Sequence, residues 1–208
     1  DSSESRGLGD VYKRQPYIEA TPCLLRPINM AEGTPGAGSV CVTNEAGARL
    51  VVINAITNLF MADYDPVFPA IYGALVRNRL GRDADFILID LHGEATSEKM
   101  AVGHYADSRA SLVVGTHTHV PTADHQILPG GTAYQTDAGM CGDYDSVIGM
   151  NKEAATARFT GHDGPRLSVA LGEVTVCGLL VESDQAGHAV SVEPLRRGGR
   201  LGAATPGA

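Results

Sequence analysis

Two short apolar runs constrain this chain more than anything else in it: residues 86–91 (FILIDL) and 111–115 (SLVVG). Runs of this length and character are typical of strands buried on both faces, as in parallel sheets covered by helices. Between them, residues 96–105 read as a helix, whose start could be helped by Ser97 and Glu98. Residues 86–115 therefore read as one βαβ unit, and its crossover should be right-handed. Such a unit buries its faces only inside a larger layered fold.

The rest of the chain supplies those layers. Residues 39–43 and 49–53 are β-rich and flank Asn44-Glu45-Ala46-Gly47, a hairpin signal. Residues 67–80 carry apolar side chains at 67, 68, 71, 75, 76 and 80, near the helical period. Residues 132–136 read as a strand, 139–149 as a glycine-rich loop and 152–159 as a short helix. Residues 166–171, 174–182 and 189–195 read as antiparallel strands, and 198–208 as a flexible tail. No repeat or linker divides residues 16–197. An α/β sandwich, with a central pair of sheets and helices outside, is the economical architecture.

Charge and composition narrow the function. Sixteen Lys and Arg stand against 24 Asp and Glu, a formal charge of −8. That argues against general binding to a nucleic-acid backbone. A small phosphate ester remains compatible, because metal cations can supply the positive charge locally. No window approaches the roughly 18 apolar residues of a membrane span, and the start has no apolar signal-peptide core, so a cytoplasmic protein is expected. Cys23, Cys41, Cys141 and Cys177 form no CxxC pair and are expected to be free thiols, buried or half-buried.

Residues 5–15 read SRGLGDVYKRQ, which resembles the translation of a transposon-type sequencing adapter. Residues 1–15 are accordingly not expected to belong to the fold, and protein sequence is expected to begin near Pro16, with upstream sequence missing.

The chemistry lies where the two buried strands stop. The first stops at His92, the second at Thr116-His117-Thr118-His119. Ligands bind outside the carboxyl ends of strands in α/β sheets, and parallel neighbours joined by a helix bring those ends to one edge. In an extended segment His117 and His119 would point the same way. His92, His117 and His119 are therefore the expected metal ligands, as imidazoles suited to Zn, Fe, Mn or Ni. The alternative is three capping or surface histidines bonded to loop backbone. His104, His125, His162 and His188 lie in polar or turn contexts and are expected to be solvent-exposed. A phosphoester needs more, such as two metals about 3.5–4 Å apart that clamp the attacking and leaving oxygens. Carboxylates for that are scarce. Asp90 is expected to point away from His92. Glu94 and Glu98 begin a helix, where acids are favoured by its dipole. Asp137 ends the 132–136 strand and could reach the site.

Several segments resemble a known family. They are Leu25-Arg26-Pro27, EGTPGAG, HGEATSEK from His92, GTHTHVPTAD from Gly115 and GTAYQTDAGMCG from Gly131, continuing to Gly149-Met150. Together they resemble the YmdB-like bacterial metallophosphoesterases, of the calcineurin-like superfamily, over residue 16 to about 195. The resemblance implies an α/β/β/α sandwich in four layers, incomplete here, and a centre of two divalent or trivalent metals, Fe or Mn first and Zn next. It implies phosphodiesterase or phosphatase activity on a small phosphoester such as a cyclic nucleotide, with His92, His117 and His119 as ligands. The family's Gly-Asp, Glu-Asn and Gly-Asn-His segments have no counterpart before Leu24. Gly9-Asp10 lies in the adapter-like stretch and follows no apolar strand.

The leading expectation is thus a dinuclear phosphoesterase whose 208-residue piece is inactive, with no catalytic acid or substrate-binding residue assignable. Two alternatives stand beside it: a regulatory protein with a vestigial metal site, and a mononuclear three-His zinc hydrolase. No membrane partner is expected, and a homo-oligomer is compatible. An exposed apolar face and strand edge, with poor solubility, are expected too.

Overall fold

The computed structural model describes residues 16–207, so the adapter-like stretch lies outside the described residues. Among the described residues, 16–20 are helical, and nine strands and three further helices follow: β1 Ser39–Thr43, β2 Arg49–Ile56, α1 Val67–Arg77, β3 Phe86–His92, α2 Thr96–Ala106, β4 Leu112–Thr116, β5 Gln126–Ile127, β6 Ala133–Gln135, β7 Gly142–Asp143, α3 Lys152–Thr160, β8 Val174–Ser183 and β9 Ala189–Arg197. A six-stranded sheet runs β1-β2-β3-β4-β6-β5, and a second, three-stranded sheet runs β7-β8-β9. The inner strands β2, β3, β4 and β6 are parallel, whereas the edge strands β1 and β5 are antiparallel to their neighbours.

Alternation along β3 shows how the layers form. Ile87, Ile89 and Leu91 are fully buried with Val51, Ile53 and Val113, Ile71 and Leu75 of α1, and Val102 and Ala106 of α2. Phe86 and Leu88 point the other way and pack with Leu112, Val114 and Ala133 against Leu179, Val181 and Val192 of the β8–β9 hairpin. Full burial of each large aliphatic side chain contributes about 1.5–3 kcal/mol. Both faces of β3 are thus covered, as its apolar run demands. The mixed α/β architecture is the incomplete sandwich expected: helices, a large sheet and a hairpin layer. On the outer side of that hairpin Val174, Val176, Leu180 and Val190 are exposed.

Several boundaries and one whole element differ from the sequence reading. β2 continues to Ile56 because its pairing with β3 runs to Ile56 beside His92. The helix read as 67–80 ends at Arg77, where Asn78 caps it by bonding back to the Ala74 carbonyl. Helix α2 starts after Ala95 with no side-chain cap; Glu98 instead accepts the backbone N–H groups of Asn58 and Leu59, at 3.0 and 2.8 Å. Residues 166–171 are not a strand. They form a single bridge, Met150 with Val169, and Leu171 is 94% exposed, so the alternating pattern there has no layer to pack on. All four cysteines are free, but Cys23, Cys41 and Cys141 are exposed and only Cys177 is buried. The segment read as a tail folds back: Ala204 exchanges two backbone hydrogen bonds with Arg196, and the Gly207 N–H donates to Glu193.

Tyr134 of β6 is buried against α2, where a Cβ on Gly103 would lie 2.6 Å from its ring. Burial pushes its hydroxyl up to about 12, against an ordinary value near 10. The unfolded chain therefore ionises first. This contribution is complete below pH 10 and is lost as the pH rises through 12. The native protein should lose up to about 2 kcal/mol by this route in urea titrations between pH 9 and 11.5, and Tyr134→Phe should lose correspondingly less. An equal loss in both proteins would show that Tyr134 is not the titrating group.

Candidate metal centre

The parallel register of β3 with β4 sets His92 beside Thr116 at the carboxyl edge of the sheet. Their side chains meet, with His92 Nδ1 3.0 Å from Thr116 Oγ1. Two glycines at these strand ends let the flanking segments, at Thr136 and Thr57, approach closely. A Cβ on Gly115 would lie 1.7 Å from the Thr136 carbonyl oxygen, and one on Gly93 would lie 1.9 Å from Thr57 Oγ1.

After Thr116 the backbone turns sharply. His117 has φ +122° and His119 has φ +67°, in the region that side chains with a Cβ seldom adopt. The segment is therefore not extended, and its two histidines do not share a side. His117 folds back onto β3, placing Nδ1 3.0 Å from His92 Nε2 with the rings edge to face. Its other nitrogen, Nε2, is 3.0 Å from a Glu94 carboxylate oxygen. His119 is exposed and its Nδ1 donates to the Ile148 carbonyl at 2.8 Å, which leaves Nε2 as the lone-pair nitrogen of the neutral ring. The structure thus brings His92 and His117 together and sends His119 elsewhere. Among the described residues, no three His, Cys, Asp or Glu side chains are grouped to hold a metal.

Asp90 lies on the same side of β3 as His92, not the opposite one, because residues two apart share a strand face. Its carboxylate accepts from Asn54 Nδ2 at 2.8 Å. His92 is half-buried. Burial and the neighbouring His117 hold its pKa below the ordinary histidine value, while Asp90 pulls it up less strongly. Its neutral form, which has a lone pair for a metal, is favoured. Of the other histidines, His104 and His162 are exposed as expected, whereas His125 and His188 are half-buried.

Asp137 is committed to backbone. One carboxylate oxygen accepts the Thr118 N–H at 2.8 Å and the other the Gly139 N–H at 2.9 Å. Lys99 Nζ lies 3.5 Å from it, with both side chains buried. Sequence reasoning passed over Lys99. Its signal was present, since Lys99 shares the inward helical face of Val102 and Ala106.

The family model described as YmdB-like protein matches residues 10–195. This chain belongs to the YmdB-like family. A 2',3'-cyclic-nucleotide 2'-phosphodiesterase of Bacillus subtilis (strain 168) is 44% identical over 178 residues, 85% of this chain and 66% of that protein. A putative phosphatase/phosphodiesterase of Mycoplasma pneumoniae is 36% identical over 77% of this chain and 58% of its own length. The chain therefore spans less than two thirds of either relative. Two crystal structures share the fold. A hypothetical protein from Thermus thermophilus aligns with a TM-score of 0.79 at 39% identity, over 92% of this chain and 73% of its own. A novel phosphatase from Mycoplasma pneumoniae aligns at 0.77 and 30%, over 88% and 66%.

In this YmdB-like chain the HGEATSEK and GTHTHVPTAD segments occupy the ends of β3 and β4. Their first glycines meet fixed or crowded atoms, so Gly115→Ala should cost about 3 kcal/mol in urea unfolding. Gly178→Ala in β8, where a Cβ meets nothing within 4 Å, should stay within about 0.5 kcal/mol. Similar midpoints for the two variants would show that β4 and Thr136 can separate freely.

Proposed function

We propose that the intact protein is a metal-dependent phosphoester hydrolase with a dinuclear centre, acting on cyclic nucleotides. The observation that carries this reading is the His92–His117 nitrogen pair at the ends of two parallel strands, 3.0 Å apart. The donor chemistry fits Fe, Mn or Zn: imidazole nitrogens, one ring kept neutral, with the Glu94 carboxylate beside them. The number of donors fits only part of a site. His119 offers Nε2 but stands apart, bonded to Ile148. The remaining ligands belong, in this reading, to the family segments that have no counterpart in this chain. The 208-residue chain by itself should therefore not turn over substrate.

When bound, the metals would polarise the phosphoryl group and activate water. The residues of this chain orient the donors. Thr116 Oγ1 holds His92 Nδ1, which directs Nε2 toward His117, as partners behind a metal-bound ring commonly do. Glu94 holds His117 by its outer nitrogen. With a formal charge of −8, the protein offers a phosphate no general cationic surface, which leaves its neutralisation to the metals. The 44% identity to a 2',3'-cyclic-nucleotide 2'-phosphodiesterase supports a small cyclic phosphodiester as substrate. A mononuclear three-His zinc site is not favoured, because the three rings do not converge. We place the protein in the cytoplasm; no helix among the described residues is long and apolar enough to cross a membrane.

Hydrolysis of 2',3'-cyclic AMP by the intact protein with Mn tests the reading. His117→Ala should lower kcat/KM by at least about 100-fold, and a chelator should abolish turnover. Undiminished activity in His117→Ala would remove His117 from the centre.

A further inference from the structure

The geometry assigns Lys99 and Asp137 as positioning residues that together hold the two peptide groups flanking His117. Lys99 Nζ donates to the Thr116 carbonyl at 3.2 Å, which belongs to the peptide before His117. The Asp137 carboxylate accepts the Thr118 N–H at 2.8 Å, which belongs to the peptide after it. These two contacts grip the backbone on both sides of a residue whose φ is +122°. A residue with a Cβ persists there only when its surroundings over-determine it.

The clamp is built from groups that are costly to bury. Lys99 has no exposed side-chain surface and Asp137 has 1%. Such charges are tolerated inside a protein when each is paired and further hydrogen-bonded. Here they are. The second Asp137 oxygen accepts the Gly139 N–H at 2.9 Å, while the Asp137 N–H donates to Thr122 Oγ1. Lys99 comes from α2 and Asp137 from the segment just after β6, so the clamp ties the helix after the first histidine to the loop carrying the second. An apolar pair could fill the same space. It would leave the Thr116 carbonyl and the Thr118 amide without these partners, and a cation and an anion bind them more strongly than neutral donors and acceptors do.

The inference rests on the reading of His92 and His117 as the functional pair, but its test does not use hydrolysis. In the 208-residue chain, the Thr118 and Gly139 amides should exchange with solvent at least about tenfold more slowly than free peptide. Asp137→Asn should remove most of that protection. It should also shift the His117 ring resonances and weaken their magnetisation transfer to His92. Glu98→Gln is the control, since it alters a buried carboxylate on the same helix that binds Asn58 and Leu59 instead; it should lower stability and leave the His117 signals in place. If Asp137→Asn does not fold, the neutral pair Lys99→Met with Asp137→Leu serves, and should show the same shift. Unchanged His117 signals in either folded variant overturn the assignment, as do Thr118 and Gly139 amides that exchange at free-peptide rates in the unaltered chain. If His117→Ala retains full hydrolysis while these spectroscopic outcomes hold, the functional reading fails and the clamp stands.

Discussion

Parallel pairing between β3 and β4 is the constraint on which the rest depends. It carries His92 to the side of Thr116, and it requires both faces of the strands to be covered. The helices cover one face with Val67, Ile71, Leu75, Val102 and Ala106, and the β8–β9 hairpin covers the other with Leu179, Val181 and Val192. Burial on both sides makes the strand register hard to slip. A shift of one residue would drive Ile87, Ile89 and Leu91 out of the helical core and turn His92 away from the edge.

The edge itself is shaped by close approach. Gly93 and Gly115 bring backbone and side chains together at distances no Cβ allows, and the chain then enters two positive-φ residues, both histidines. Such conformations cost of order 1–3 kcal/mol each and concentrate at functional sites. The surrounding hydrogen bonds meet that cost. Thr116 holds one ring, Glu94 holds the other, and the Ile148 carbonyl holds the third. The two rings that meet come from the ends of different strands, whereas the two that are neighbours in sequence part company.

Much of this was legible in advance where a local pattern had a local cause. The βαβ unit and the first hairpin follow from buried apolar runs and turn residues; the short helix read as 152–159 is present too, running to Thr160 from an Asn151 cap that accepts the Ala154 N–H. Residues 166–171 misled because alternation predicts a strand only where a second layer exists to bury it, and none covers Leu171. The two-residue strands β5 and β7 carry too few side chains for any period to show.

Sequence alone determined the chemical endowment: two buried strands that stop at histidines, an acidic surface, and motif segments shared with the YmdB-like family. Spacing could say that His92, His117 and His119 lie at one edge. It could not say which of them meet, because that depends on a backbone turn at His117 that is set by groups distant in the chain. Tertiary structure decided the pairing of His92 with His117, the diversion of His119 to Ile148, and the burial of Lys99 against Asp137. The physical reason is that strand periodicity governs direction only while the backbone stays extended, and beyond Thr116 long-range hydrogen bonds take over.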